Sequence, residues 1–440
     1  MASRQARRVT SRVWGVMLLT ALTLLLGACS GATSTTVRVH GVAPLVPTAT
    51  LPPSSAGPQS AARLQQQARA SAEWYLSRMS LDEQLGQMFL IETGWQDYNQ
   101  DVANMVVGMH AGAMILYQQN MANSAQLKDY IATIQAHASL PLLVSIDEEG
   151  GVVDRLGALG FDPPLPAAQD LTASGNPHNA YVAGAQAAAE LRALGINLNL
   201  APVADVRTNP YAVEFTRIFG NSPKTVDAYA GAFMRGLQQN DVVACLKHWP
   251  GIGGVALDPH LTLPTMDETR AQLEATNFAA FRGLLAQDPG MIMVTHVIVP
   301  AIDPNMPATL SPKLVDGVLR GELGYQGVVM TDSLYMQGIA ERYSLPEAAV
   351  LSVVAGDDLL EGAYDTGTMS AMLAALKAAI ATGQISRARI DQSVLRILLL
   401  KQRFGLLALH TPPQAAGPVL AYNAALPPSA SNADLPRVAA

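Results

Sequence analysis

Two stretches of the chain concentrate the groups that could move protons or attack carbon. Lys247 and His248 stand side by side after an apolar run, Val242 to Leu246. Asp258 then precedes His260 by two residues, in a segment broken by Pro250, Gly251, Gly253 and Gly254. An Asp-x-His pair on a loop can make a carboxylate–imidazole contact that orients the ring and raises its pKa toward working pH. The competing reading is a polar surface loop with an incidental histidine. The second stretch is Val328-Val329-Met330-Thr331-Asp332, which delivers an aspartate at the end of an apolar run. A carboxylate so placed can attack an electrophilic carbon such as an anomeric centre and hold an ester until water arrives. It could also simply cap the next helix.

Further polar residues follow other apolar runs: Asp147, Glu148, Arg155, Arg217 and His296. Carboxylates accept from hydroxyls while Arg and Lys donate to them, so the set suits a polyhydroxylated substrate. His248, His260, His296 and Asp258 could instead ligate a metal, but their spacing matches no familiar zinc signature, and no metal or cofactor is expected. Gly251-Ile252-Gly253-Gly254 lacks the Lys-Ser/Thr of a phosphate loop. Trp249 could stack on a sugar or pack in the core, with packing favoured. His296 is read as supporting the site, and Cys245 as a small buried hydrophobe.

The elements that would position these groups are short apolar runs alternating with alanine-rich helical stretches. The runs are Met88–Ile91, Ala113–Leu116, Leu142–Ile146, Ile196–Ala201, Val242–Leu246, Met291–Val294, Gly327–Met330 and Asp358–Leu360. The helical stretches include Ala180–Leu194, Val226–Gln239 and Ala271–Ala286. Alternation of this kind argues for a parallel sheet. Eight strands in one unit fit a single (β/α)8 TIM-type barrel, an α/β fold whose functional side chains sit at the C-terminal strand ends. A doubly wound sheet usually carries a Gly-rich dinucleotide turn after its first strand, and none is found. Ser80 with Glu83 forms a capping box, and Ser386 caps a closing helix bearing Ile390, Val394, Ile397 and Leu398, with Gly405 at its end.

The ends of the chain differ from its middle. Residues 1–28 carry four arginines and an apolar run of about 14 residues, shorter than the ~20 needed to span a bilayer and laid out like a signal peptide. Leu26-Gly27-Ala28-Cys29 resembles a lipobox, which makes Cys29 a lipidation candidate and implies an extracytoplasmic, membrane-anchored lipoprotein of a bacterial envelope. Residues 29–61 read as anchor and flexible linker, 62–410 as the folded unit and 411–440 as a disordered Ala/Pro-rich tail. The chain's 440 residues carry a net charge of −7, or −11 without residues 1–28. No basic patch remains, so nucleic acid is not an expected partner.

The ordered segments resemble glycoside hydrolase family 3, in its bacterial β-N-acetylglucosaminidase branch. They run from Met79-Ser80-Leu81-Asp82-Glu83 through Ser145-Ile146-Asp147-Glu148-Glu149-Gly150-Gly151 and Leu198 to Val206. Arg217-Ile218-Phe219-Gly220, Lys247 to Gly251, Asp258-Pro259-His260, Gly327 to Leu334 and Ala355 to Leu360 complete the set. The resemblance implies a retaining exo-glycosidase that hydrolyses terminal β-linked N-acetylglucosamine of peptidoglycan- or chitin-type saccharides. It implies Asp332 as nucleophile, His260 as acid/base and Asp258 as its partner. Asp147, Arg155, Arg217, Lys247 and His248 are implied to bind substrate. Two positions depart from the pattern: Ile252 stands where the family commonly has histidine, and Val152 where it has arginine after Gly-Gly. They keep two alternatives open, a β-glucosidase-like member and a sugar-binding protein that has lost turnover.

Overall fold

The computed structural model describes residues 58–410. The expected signal peptide, Cys29, most of the linker and the Ala/Pro-rich tail lie outside the described residues. Eight parallel strands form the central sheet: β1 (Phe89–Glu92), β2 (Ala113–Leu116), β3 (Leu143–Ile146), β4 (Leu198–Asn199), β5 (Val243–Trp249), β6 (Met291–Val294), β7 (Val328–Thr331) and β8 (Leu360–Ala363). Each pairs with its neighbour in sequence, and β1 also pairs with β8. The ring closes between β7 and β8 through a parallel bridge, Met330 with Leu359. A short antiparallel hairpin, Ile298–Val299 with Asp303–Pro307, stands beyond β6.

The expected (β/α)8 barrel is therefore the observed one. Its strands are the apolar runs of the sequence, buried on both sides as a parallel barrel requires. The helices start where capping chemistry places them. Ser80 and Glu83 cap Leu81–Gln87 reciprocally, Asn176 caps Pro177–Leu194, Ser222 caps Pro223–Gln238, and Ser386 caps Arg387–Arg403. Gly195, at φ 89°, ends the second of these in the left-handed conformation that glycine tolerates best.

Three local expectations need correction. The stretch 271–286 is two helices, Arg270–Ala275 and Asn277–Leu285, because Thr276 leaves the helical region and its hydroxyl bonds back to the Gln272 carbonyl at 2.7 Å. β5 continues through Lys247 and His248 to Trp249, so this pair belongs to a strand end and not to the loop. β8 begins at Leu360 rather than Asp358. Asp358 is instead a buried anchor below the strand. It accepts from Arg320 Nη2 at 2.6 Å, Ser393 Oγ at 2.7 Å and Arg396 Nη1 at 3.0 Å. Burial favours its neutral form, but the arginines outweigh burial and hold the carboxyl below its ordinary range.

One core group carries a stability prediction. Lys401, in the closing helix Arg387–Arg403, is fully buried and donates to Gln87 Oε1 at 2.7 Å. Burial depresses its pKa to about 7. Between that value and the ordinary lysine pKa of about 10.4, the unfolded chain holds a proton that the folded chain does not. Its destabilising contribution is therefore complete below pH 7 and fades as pH rises. A Lys401→Met protein is expected to be more stable than wild type at pH 6 by about 2 kcal/mol, and so to melt at higher temperature, with the gap narrowing toward pH 9. Thermal melts at the two pH values measure this, and a gap that widens with pH would refute it.

Candidate active site

β3 ends at Ile146, and the backbone beyond it is still extended enough to alternate. Asp147 and Glu149 reach one partner, Lys247 Nζ, at 2.5 and 2.7 Å. Glu148 turns the other way, accepts from the Arg155 and Leu156 amides at 2.8 and 3.0 Å, and is pushed to a pKa of about 8 by burial and by nearby Asp154. Residues i and i+2 of an extended segment share a face, so this alternation was the available signal for Glu149, which the sequence reading did not single out.

Lys247 and His248 are consecutive, and a regular strand would send them to opposite sides. The pairing of β5 with β6 shifts register between Leu246 and Trp249, and both side chains join the polar cluster. From Lys247 the charges alternate across the mouth. Glu149 binds Arg217 through two bonds of 2.7 Å, Arg217 pairs with Glu214, and Glu214 lies 3.3 Å from His248 Nδ1. His248 Nδ1 also donates to Asp205 Oδ2 at 2.9 Å. Asp205 in turn accepts from the Ile252 amide at 2.8 Å.

The network sets protonation. Burial disfavours the Glu149 carboxylate, yet Lys247 and Arg217 together hold its pKa well below the usual carboxylate range. Burial likewise opposes the charge on Lys247, and Asp147 and Glu149 more than reverse that, raising its pKa. Glu214 goes the other way, to about 7, because its burial exceeds the pull of His248 and Arg217. Asp205 and Glu214 were not among the expected site residues: Asp205 stood only within the segment Leu198 to Val206, and Glu214 lies in an irregular loop with no local signal.

Asp332 follows β7 and is half-buried. Its Oδ2 accepts from Thr295 Oγ1 at 3.0 Å and its Oδ1 from the Ser333 amide at 2.9 Å. Burial raises its pKa, but His296, His248 and His260 outweigh burial and leave it lowered. His296 is wholly buried, with Nε2 donating to the Ser333 carbonyl at 2.9 Å and Nδ1 at 2.8 Å from Thr309 Oγ1. It supports the Asp332 segment, as expected. Trp249 is buried against Phe278 and Phe281, also as expected. Cys245 is buried and its thiol pKa is raised by burial, which makes it a poor nucleophile.

Beside Asp332 stand two acids that the sequence did not announce. Glu92 ends β1 and accepts from Ser333 Oγ at 2.9 Å. Glu361, within β8, accepts from Tyr117 Oη at 3.0 Å, and its Oε2 is buried without a partner. Among the described residues neither is ion-paired to a cation. Burial raises the pKa of both, with further help from Asp332, so the pair holds protons to higher pH than ordinary glutamates.

Asp258 and His260 form the expected dyad, with Nδ1 2.7 Å from Oδ1. Their loop is tied at both ends. The Gly253 carbonyl accepts from the Thr208 amide at 3.1 Å, and the Pro264 carbonyl accepts from the Ile298 amide at 2.9 Å. A Cβ on Gly253 would come within 2.1 Å of the Val206 carbonyl oxygen, so that position has room only for glycine. The loop leans on the segment after Asp332, where the Gln337 amide donates to the His260 carbonyl at 3.4 Å. The His260 ring is 65% exposed at the rim. Arg155 lies on the loop after β3, and its Nε is buried without an acceptor. Ile252 is buried in the core, whereas Val152 is 73% exposed.

A metal group can be sought in the same way. Among the described residues, Asp205, Glu214 and His248 bring their ligand atoms within 4.8 Å of one another. That set differs from the one considered from sequence: His260 is at the rim and His296 is enclosed behind Asp332. Arg217 and the His248–Asp205 bond already serve these three groups, which fits them as the support of a binding pocket.

Comparison with known proteins gives one consistent picture. Residues 80–400 match the family described as Glycosyl hydrolase family 3 N terminal domain. The chain is 31% identical over 330 residues to Beta-hexosaminidase A of Pseudoalteromonas piscicida, covering 69% of this chain and only 55% of that protein's length. It is 34% identical over 291 residues to the Beta-hexosaminidase of Nitrosomonas eutropha, covering 64% of this chain and 83% of that one. Among solved structures, a glycoside hydrolase family 3 beta-N-acetylglucosaminidase from Paenibacillus sp. str. FPU-7 superposes with a TM-score of 0.72 at 36% identity. That match covers 78% of this chain and 66% of the other.

Proposed function

The chain belongs to glycosyl hydrolase family 3, and from that premise we propose that it is a retaining exo-glycosidase removing terminal β-linked N-acetylglucosamine from saccharides. One observation carries the reading. Asp332, ionised and held by two hydrogen bonds, stands after β7, while the Asp258–His260 pair leans over from the loop after β5. Asp332 attacks the anomeric carbon, and the C1–O bond breaks. His260 gives its proton to the departing oxygen, then takes one from the water that releases the sugar. Asp258 bonds to Nδ1, which leaves Nε2 as the atom that exchanges the proton. Lys247, Arg217, Asp147 and His248 grip the hydroxyls of the departing monosaccharide. The Lys247–Asp147 pair and the pairs of Arg217 and His248 with Glu149, Glu214 and Asp205 fix them before substrate arrives, so little ordering remains to be done on binding. The unpartnered Arg155 Nε and Glu361 Oε2 offer two further contacts.

Hydrolysis of chromogenic β-N-acetylglucosaminide, measured beside the β-glucoside, tests the reading. Preferential cleavage of the glucoside would overturn the sugar assignment. His260→Ala is expected to slow substrates with poor leaving groups by roughly 10²–10⁴-fold and those with good leaving groups far less. Equal losses on both would remove His260 from the proton-transfer role. Membrane attachment through Cys29, outside the cytoplasm, is part of the same proposal and rests on the leader sequence; acyl labelling of the wild type and of Cys29→Ser checks it.

A further inference from the structure

The barrel mouth joins an ionic network to exposed aromatic side chains, of which Tyr211 and Phe215 lie in the loop after β4. The ionic network occupies the side of β3 to β5. The opposite arc carries large aromatic side chains on three adjacent strand ends. Trp95 lies in the loop after β1, Tyr335 in the segment after Asp332 that leaves β7, and Tyr364 directly after β8. They are 47%, 58% and 38% exposed, where large rings are ordinarily covered.

One contact and a chain of hydrogen bonds connect these rings along the rim. Tyr335 and Tyr364 meet edge to face, with centroids 5.0 Å apart. Trp95 Nε1 donates to Asp101 Oδ2 at 3.4 Å, and Asp101 Oδ1 accepts from the amide of Thr366, two residues beyond Tyr364, at 2.9 Å. Asn120 Nδ2 fixes the Trp95 carbonyl from the loop after β2 at 2.8 Å. A tied ring such as Trp95, or rings packed on each other such as Tyr335 and Tyr364, lose less freedom when a ligand covers them.

We propose that Trp95, Tyr335 and Tyr364 form a stacking platform for the leaving-group side of a saccharide substrate. The proposal rests on the glycosidase reading above and extends it from the bond cleaved to the chain it is cleaved from. A pyranose ring has hydroxyls around its edge and C–H groups across its faces. The edge of the terminal sugar suits the ionic network of the mouth. The ring faces beyond the cleaved bond suit exposed aromatic side chains, whose bodies are apolar and whose Nε1–H or O–H can still bond to water or a hydroxyl. Tyr335 is three residues from the nucleophile, so the platform starts where the leaving group departs.

The test compares wild type with a Tyr335→Ala/Tyr364→Ala double variant. The substrates are N-acetylglucosaminyl fluoride, whose leaving group has no ring to stack, and β-1,4-linked N-acetylglucosamine di-, tri- and tetramers. Wild-type kcat/KM is expected to rise at least about tenfold from dimer to tetramer. The double variant should lose that rise, and its loss on the tetramer should exceed its loss on the fluoride by about tenfold. A flat length dependence in wild type, or equal losses on fluoride and tetramer, would overturn the platform while leaving the glycosidase reading intact. No turnover of the fluoride would overturn the glycosidase reading instead. Calorimetric titration of tetramer into an Asp332→Asn background gives a second readout. Affinity unchanged by the two tyrosine substitutions, or no binding at all, would also overturn the platform.

Discussion

An Asp332→Asn enzyme is expected to fold normally and to hydrolyse its substrate at least roughly 10⁴-fold more slowly than wild type. The substitution keeps the shape of the side chain. The amide oxygen can accept from the Ser333 amide, and the Thr295 hydroxyl, now 3.0 Å from Oδ2, can rotate to accept from the new NH₂ group. What is lost is the charge and the lone pair that the proposed mechanism uses to form the glycosyl ester. A fluorinated sugar that slows the second step should label wild type on the peptide containing Asp332 and leave the variant unlabelled. A label on Glu92 or Glu361 would transfer the nucleophilic role to the neighbouring acids. Burial opposes the Asp332 charge, but three histidines outweigh it and hold the pKa below its ordinary value, so the carboxylate stays ionised further into acid than a free aspartate. The acid limb of the rate profile should therefore not be set above the ordinary aspartate range by Asp332.

The second large effect is expected at Lys247. Its ammonium is nearly inaccessible and sits between Asp147 and Glu149. In Lys247→Met the Asp147 carboxylate loses its cation, and Glu149 keeps only Arg217. Breaking one side of a buried ion pair costs about 3–5 kcal/mol, so the melting temperature at pH 7 should fall by roughly 5–10 °C. Activity should drop by about 10²–10³-fold in kcat/KM, since the remaining carboxylates are no longer held for the sugar hydroxyls. The pH dependence follows from Glu149. Its folded pKa is depressed, so its stabilising contribution is present above the unfolded value of about 4.3 and is lost as pH falls below it. Without Lys247 that depression shrinks, and acid unfolding should begin at higher pH than in wild type. Lys247→Arg is not expected to rescue, because a planar fork replaces a point charge between two fixed oxygens. An unchanged melting temperature in Lys247→Met would show that the pair is not buried in solution.

The barrel was readable from the sequence because a parallel barrel writes each strand as a continuous apolar run, and because capping residues mark the helix starts. Asp332, Asp258 and His260 were readable for a related reason: each follows a run directly or sits in a loop too rich in Gly and Pro to be anything else. The partners of these residues were not. Glu149 looks like part of an acidic triplet until alternation separates it from Glu148. Glu214 is brought to His248 only by the path of a long irregular loop. Glu361 directly follows the run read as the last strand, yet nothing in the local pattern separates it from Asp358 at the other end of that run, which three arginines tie into the frame. Local pattern reports which residues end a strand; it does not report which of two adjacent acids faces the mouth and which is tied into the frame.

The seam between β7 and β8 also governs when the enzyme can exist during its own synthesis. Arg389 and Arg396, which balance Asp358 there, belong to the last helix of the fold, Arg387–Arg403. A growing chain therefore emerges with Asp332 long before the ring around it can be fastened. Until that helix is released, the half-made protein carries Asp358 without two of its three counter-charges and a barrel whose two ends are not secured to each other. A product truncated before Arg387 would hold all eight strands yet lack two of the three arginines that balance the buried Asp358 at the seam.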